Sequence, residues 1–210
     1  AYKFWKKISL FEHGGMERPD YAYSVLAGHL DRVKSTNLAN NFVGLELGPG
    51  DSLSTALIAK AFGASRTFLV DAADFANRDV ERYKMVCRYL EGQGHDISSF
   101  SEFNTVDQML KQSTCSYLTD GLASLKTIPD ASVDFIWSQA VLEHIRKDIF
   151  FETLCQLRRI LKDDGVCSHQ VDLKDHLNSK IAVVEALECP TLLHGGYGEH
   201  NIQGIGDKHV

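Results

Sequence analysis

The stretch Val43-Gly44-Leu45-Glu46-Leu47-Gly48-Pro49-Gly50-Asp51-Ser52 constrains this chain more than any other. An apolar run ends at an acidic residue, and two glycines follow one residue apart. Asp51 or Ser52 then offers a helix-capping oxygen. Strand, tight turn and helix in that order build the ligand crevice of an α/β domain. Glycine suits such a turn because it enters the left-handed region freely and lets a ligand approach the backbone closely.

Strand-like and helix-like segments alternate along the chain. That alternation predicts a mainly parallel sheet with helices on both faces. Pro19 and Asp20 start a helix with Ala22, Val25, Leu26, His29 and Val33 at helical spacing. A first strand covers about Phe42 to Leu47, and a helix opens at Asp51 or Ser52 with Leu53, Ala56 and Leu57 on one face. Thr67 to Val70 reads as a second strand ending at Asp71. Val80, Tyr83, Val86, Cys87 and Leu90 form the next helical stripe. Residues 95–113 are irregular except for a short helix through Val106 and Leu110. Cys115 to Thr119 and Val133 to Ser138 read as strands three and four. Asp148 caps a long helix with Phe150, Leu154, Leu157 and Leu161 on one stripe. Gly165 stops it, and Val166 to Val171 is strand five. No internal repeat or low-complexity linker interrupts the pattern. The expected organisation is a helical N-terminal segment over 1–40, a ligand-binding domain over 41–175 and an irregular segment over 176–210. The aromatic-rich stretch Phe4 to Tyr23 is a candidate lid.

Which ligand the crevice takes follows from what is missing. Gly50 is followed by Asp51-Ser52, so the Lys of a phosphate-binding P-loop is absent. A dinucleotide fingerprint needs a third glycine where Leu53 stands, and Glu46 would repel a pyrophosphate. A cationic ligand would instead be favoured by Glu46. Asp71, at the end of strand two, is placed to accept ribose hydroxyls. Asp120 and the N–H of Gly121, after strand three, are placed to read an adenine edge. The formal net charge of -6 argues against a broad nucleic-acid footprint. Five cysteines without a CxxC pair point to a reducing, cytoplasmic setting, and no apolar run approaches the length of a membrane span.

These residues resemble the class I S-adenosylmethionine-dependent methyltransferases. The likeness rests on Glu46-Leu47-Gly48-Pro49-Gly50, Asp71, Asp120 and the approach to strand four, Ile128-Pro129-Asp130-Ala131-Ser132-Val133-Asp134-Phe135-Ile136. It continues through Ser138-Gln139-Ala140-Val141-Leu142-Glu143-His144-Ile145 and Leu157-Arg158-Arg159-Ile160-Leu161-Lys162-Asp163-Asp164-Gly165, so it covers about residues 40 to 172. The resemblance implies a Rossmann-like, doubly wound sheet whose C-terminal strands are atypical or missing here. It implies S-adenosylmethionine as cofactor, held by Glu46, Gly48, Pro49, Gly50, Asp71, Ala72, Asp120, Gly121, Ser138 and Gln139. It also implies methyl transfer to an acceptor, expected to be a small molecule or glycan. The alternative is a non-catalytic module that keeps the fold and the cofactor.

His144 is the candidate general base, since an imidazole can take a proton near neutral pH. A helix histidine satisfied by a backbone group is the simpler reading. His13 and His169 are weaker candidates, while His29 on an apolar stripe reads as core. Cys87 and Cys155 read as packing residues. Cys189, His194 and His200 lack metal-ligand spacing, so no metal is expected.

Overall fold

The computed structural model of the chain describes residues 15–34, 36, 38 and 40–172. The sheet has five strands in the order β3-β2-β1-β4-β5, and every pair is parallel. They are β1 (Val43–Leu47), β2 (Arg66–Val70), β3 (Cys115–Leu118), β4 (Val133–Gln139) and β5 (Leu161–Gln170). The helices are α1 (Pro19–Arg32), α2 (Ser54–Ala61), α3 (Val80–Gly92), α4 (Val106–Gln112), α5 (Leu122–Thr127) and α6 (Lys147–Ile160). Glu46 pairs with Leu69 on one side and Trp137 on the other. The strand order therefore reverses at β1, and the carboxyl ends of β1 and β4 open the crevice where such sheets bind ligands.

Strand alternation gives each face its own core. Leu45, Leu47, Phe68, Val70 and Ile136 pack with Leu125, Leu157 and Ile160 from α5 and α6. Leu69, Phe135 and Trp137 pack on the opposite face with residues of α1 to α4. Glu46 shares that second face by the same alternation. α1 belongs to this core, because Ala22 and Leu26 are fully buried. Tyr23 stacks on Phe62 with ring centroids 5.1 Å apart, so this end of the expected lid is packed against α2. Residues 4–14 of that lid lie outside the described residues, as do Cys189, His194 and His200.

Several boundaries differ from the sequence reading. The chain stays in the glycine turn through Leu53, and α2 opens only at Ser54. α6 starts at Lys147, with Asp148 in its first turn paired to Arg146. Gly165 does not end α6: the helix stops at Ile160 and β5 begins at Leu161. The cause is a partner for the helix end, because Ala131 N–H and Ser132 N–H donate to the carbonyls of Arg159 and Ile160. Leu161 then pairs with Val133, and an irregularity follows before Val166 pairs with Phe135. Gly165 sits in that irregularity. α5, six residues long, was not anticipated. Cys155 is exposed, against the expectation that it packs, whereas Cys87 is buried.

Candidate functional site

The turn after β1 is fixed by its neighbours rather than by its own side chains. Gly48 N–H donates to Val70 O at 2.8 Å, extending the β1–β2 ladder by one residue. Gly48 and Gly50 have φ of +74° and +68°. A Cβ on Gly48 would lie 2.6 and 2.7 Å from the Val141 methyls, while one on Gly50 would meet nothing within 4 Å. The first glycine thus packs under the β4–α6 connection, and the second faces open space. Pro49 between them is buried.

Asp71 ties the crevice together. Its Oδ2 accepts from Gly50 N–H at 2.9 Å and its Oδ1 from Ala72 N–H at 2.7 Å. Its backbone carbonyl accepts from Gly121 N–H at 2.8 Å. One residue therefore links the turns after β1, β2 and β3. The Gly121 amide, expected to read an adenine edge, is committed to this bond. Asp120 is exposed, and its own N–H donates to Ser124 Oγ.

Two tyrosines to which the sequence analysis gives no role in the site, Tyr83 and Tyr117, shape the loop after β2. Tyr117 OH accepts from Phe75 N–H and donates to Ala73 O. Tyr83 OH donates to Asn77 O at 2.6 Å and accepts from Leu53 N–H at the start of α2. Their signal was a hydroxyl on an otherwise apolar stripe, since a buried Tyr generally finds a partner for its OH.

Glu46 does not lie on the rim. It is 2% exposed, and burial pushes its carboxyl up to about 7. The Thr55 hydroxyl and Trp137 indole beside it oppose that shift, while Asp71 adds to it. Among the described residues, Glu46 Oε2, Thr55 Oγ1 and Trp137 Nε1 are buried without a hydrogen bond of normal geometry.

The β4–β5 end is different in kind. Ser138, expected to face the cofactor, is fully buried and its Oγ bonds His169 Nδ1 at 2.7 Å. His29 Nδ1 lies 2.8 Å from Ser168 Oγ and 3.3 Å from Arg32 Nη1. Arg32 can only donate, so Nδ1 is an acceptor and the proton of the neutral ring sits on Nε2. Burial pushes both His29 and His169 down to about 4. Arg32 adds to the shift at His29, and the Gln139 side chain beside it opposes it. Gln139 is half-buried at the end of β4, next to Ala140 with a left-handed φ of +52°. A non-glycine residue held there stores about 1–3 kcal/mol of strain. His144 is exposed on the single 3-10 turn Leu142–His144.

This crevice fits an adenosyl donor carrying a positive charge. Gly50 leaves room for close approach, and Glu46 supplies a buried carboxyl oxygen without a partner. Asp120 adds an exposed carboxylate after β3.

No curated protein matches the chain. Solved structures that resemble it include the DhpI-SAM-HEP complex, at 20% identity and TM-score 0.39, covering 74% of this chain and 57% of that one. A SAM dependent methyltransferase from Archaeoglobus fulgidus resembles it at 16% identity and TM-score 0.39, covering 69% and 49%. Phospholethanolamine N-methyltransferase 2 from Haemonchus contortus, in complex with phosphomonomethylethanolamine and S-adenosylhomocysteine, does so at 16% identity and TM-score 0.43, covering 69% and 28%. The chain thus spans less than two thirds of the length of each. Among its described residues no helix is long and apolar enough to cross a membrane. The family described as "Methyltransferase domain" matches residues 45–168, more than half of the sequence. With that match spanning the glycine turn and all five strands, this chain belongs to the class I S-adenosylmethionine-dependent methyltransferase family.

Proposed function

We propose that the chain transfers the methyl group of S-adenosylmethionine to a small-molecule or glycan-type acceptor. The observation that carries this reading is the turn over 48–50, tied to Asp71 and open at Gly50, beside the buried Glu46 carboxyl. When bound, the donor supplies an already activated methyl on its sulfonium, so little acid–base work falls to the protein.

In this reading Asp71 holds the Gly50 turn and accepts ribose hydroxyls with its remaining lone pairs. Ala72 and Gly121 close around the nucleoside, and Asp120 meets its adenine. Gly48 and Pro49 hold the turn itself. Gln139, at the end of β4, faces the methionine part of the donor or the acceptor. Ser138 contributes by fixing His169 rather than by touching ligand. His144, being exposed, is the residue available to take a proton from an incoming acceptor. Most of the acceleration comes from holding the nucleophile in line with the methyl group and excluding water.

A thermal-shift titration with S-adenosylhomocysteine, S-adenosylmethionine and NAD, on wild type and Asp71→Ala, tests the reading. A ligand at 100 times its Kd stabilises the fold by about 2.7 kcal/mol. Both adenosyl ligands should raise the Tm of wild type, and Asp71→Ala should lose most of that rise. A shift with NAD alone would overturn the assignment.

A further inference from the structure

Glu46 lies one residue short of the end of β1, under the first turn of α2, and it is 2% exposed. Its Oε2 is buried without a hydrogen-bond partner. Two potential donors, Thr55 Oγ1 and Trp137 Nε1, stand beside it in the same condition. A buried carboxylate without a partner is costly, so the neutral acid is favoured while the neighbourhood lacks positive charge. The two neighbouring donors can turn to bond the charged form once a counter-charge arrives. The ionisable groups facing Glu46 are Asp71, just after β2, and Cys115 of β3. α2 brings the Thr55 hydroxyl and β4 the Trp137 indole, neither of which ionises near neutrality. Asp71 and Cys115 are acids, so among these neighbours nothing supplies the missing counter-charge.

The methyl donor differs from its product by one unit of positive charge at sulfur. We propose that Glu46 gives up its proton when the cationic donor enters and takes one back once the methyl group has left. Donor capture is thereby coupled to proton release. The inference rests on the donor-site reading above and adds a proton to its cycle. Transfer to an O–H or N–H acceptor turns the sulfonium into a neutral thioether and liberates one proton. The Glu46 carboxylate, having lost its counter-charge, takes up one. With the carboxyl pushed up to about 7, about half of the sites carry a proton to release at pH 7. The coupling also separates donor from product: the donor gains affinity as pH rises, and the product does not.

Titration calorimetry on the full chain tests this with S-adenosylmethionine and S-adenosylhomocysteine, each at pH 7 in phosphate and in Tris. The dependence of heat on buffer ionisation counts the protons. The donor should release about half a proton more than the product. Its Kd should fall about tenfold between pH 6 and pH 8, while that of the product changes less than twofold. Glu46→Gln should bind both ligands and lose the difference. The α-amino group common to both ligands remains in that variant as a control. Equal proton counts for the two ligands in wild type would overturn the coupling without touching the donor site. A difference retained in Glu46→Gln would also overturn it, since the proton would then come from elsewhere. No binding by either ligand to folded wild type would overturn the donor-site reading, and this proposal with it.

Discussion

At the β1–β2 end of the sheet the buried carboxyl groups are those of Glu46, Asp51 and Asp71. At the β4–β5 end stand two histidines, His29 and His169. Burial acts on Glu46 and on both histidines and drives each towards its neutral form, but through opposite proton chemistry. Glu46 becomes neutral by keeping a proton, with its carboxyl pushed up to about 7. The histidines become neutral by losing one, each pushed down to about 4. One end can therefore develop negative charge near pH 7 when a cation arrives. At the other end both histidines stay neutral through the physiological range, beside the charged Arg32.

The largest effect that separates the two ends concerns how rigidly they are joined. Gly48 meets Val141, which follows β4, so a side chain there is opposed both by φ +74° and by contacts of 2.6 and 2.7 Å. Gly48→Ala should cost about 3 kcal/mol, from about 1–2 for the left-handed backbone and about 1–3 for overpacking. Gly50→Ala should cost only the backbone part, about 1 kcal/mol, because nothing lies within 4 Å. Midpoints of urea unfolding compare the two. Equal losses would mean that Val141 yields and the two ends are not locked together.

The next effect is a pair of opposite pH dependences. Glu46 binds its proton more tightly folded than unfolded, so its stabilising contribution is complete below pH 4.5 and fades as pH rises through about 7. His29 binds its proton less tightly folded, so its contribution is complete above pH 6.5 and fades as pH falls through about 4. Each shift corresponds to about 3 kcal/mol. Stability of Glu46→Gln relative to wild type should rise by about that amount from pH 4 to pH 8. Stability of His29→Leu relative to wild type should rise by a similar amount from pH 7.5 to pH 3.5. Because the two windows overlap, wild type partly conceals both. Parallel curves for wild type and either variant would show that the group in question titrates normally.

The sequence carried the sheet well and the site unevenly, for physical reasons that these residues display. Strands β1 to β4 lie within a residue or so of their expected limits, because apolar runs bounded by Gly, Asp and Thr leave few alternatives. The end of α6 was misplaced because its carbonyls are satisfied by Ala131 and Ser132, about thirty residues away in sequence. Leu161 is apolar at helical spacing and equally apolar as the first residue of a strand, so periodicity alone does not decide it. The turn at Gly48 and Gly50 and the place of Asp71 at the end of β2 were legible, because a glycine turn and an acid at a strand end carry local meaning; the burial of Glu46 was not. The commitment of the Gly121 amide to Asp71 O was not, nor was the bond between His29 and Ser168, which are 139 residues apart. Ser138 shows the same limit. It lies at the end of β4 as expected, but its burial and its bond to His169, 31 residues on, are not readable from local sequence.

The smallest effect sharpens the cause of the histidine shift. Arg32 lies 3.3 Å from His29 Nδ1 and donates through its other terminal nitrogen to Gln170 Oε1 at 3.0 Å, on an exposed edge. Burial comes first in pushing His29 down, and the Arg32 charge second. Arg32→Gln removes the charge and leaves the burial, so the ring should remain neutral at pH 7. Its titration should move up only slightly, and stability should change by less than about 0.5 kcal/mol. NMR of the His29 ring against pH reads this directly. A return to the ordinary imidazole range would make the arginine the cause. The β4–β5 end would then be neutral because of a nearby charge rather than because water is excluded from it. It would differ from the Glu46 end, where burial is the first cause and the neighbouring Asp71 charge only adds to it.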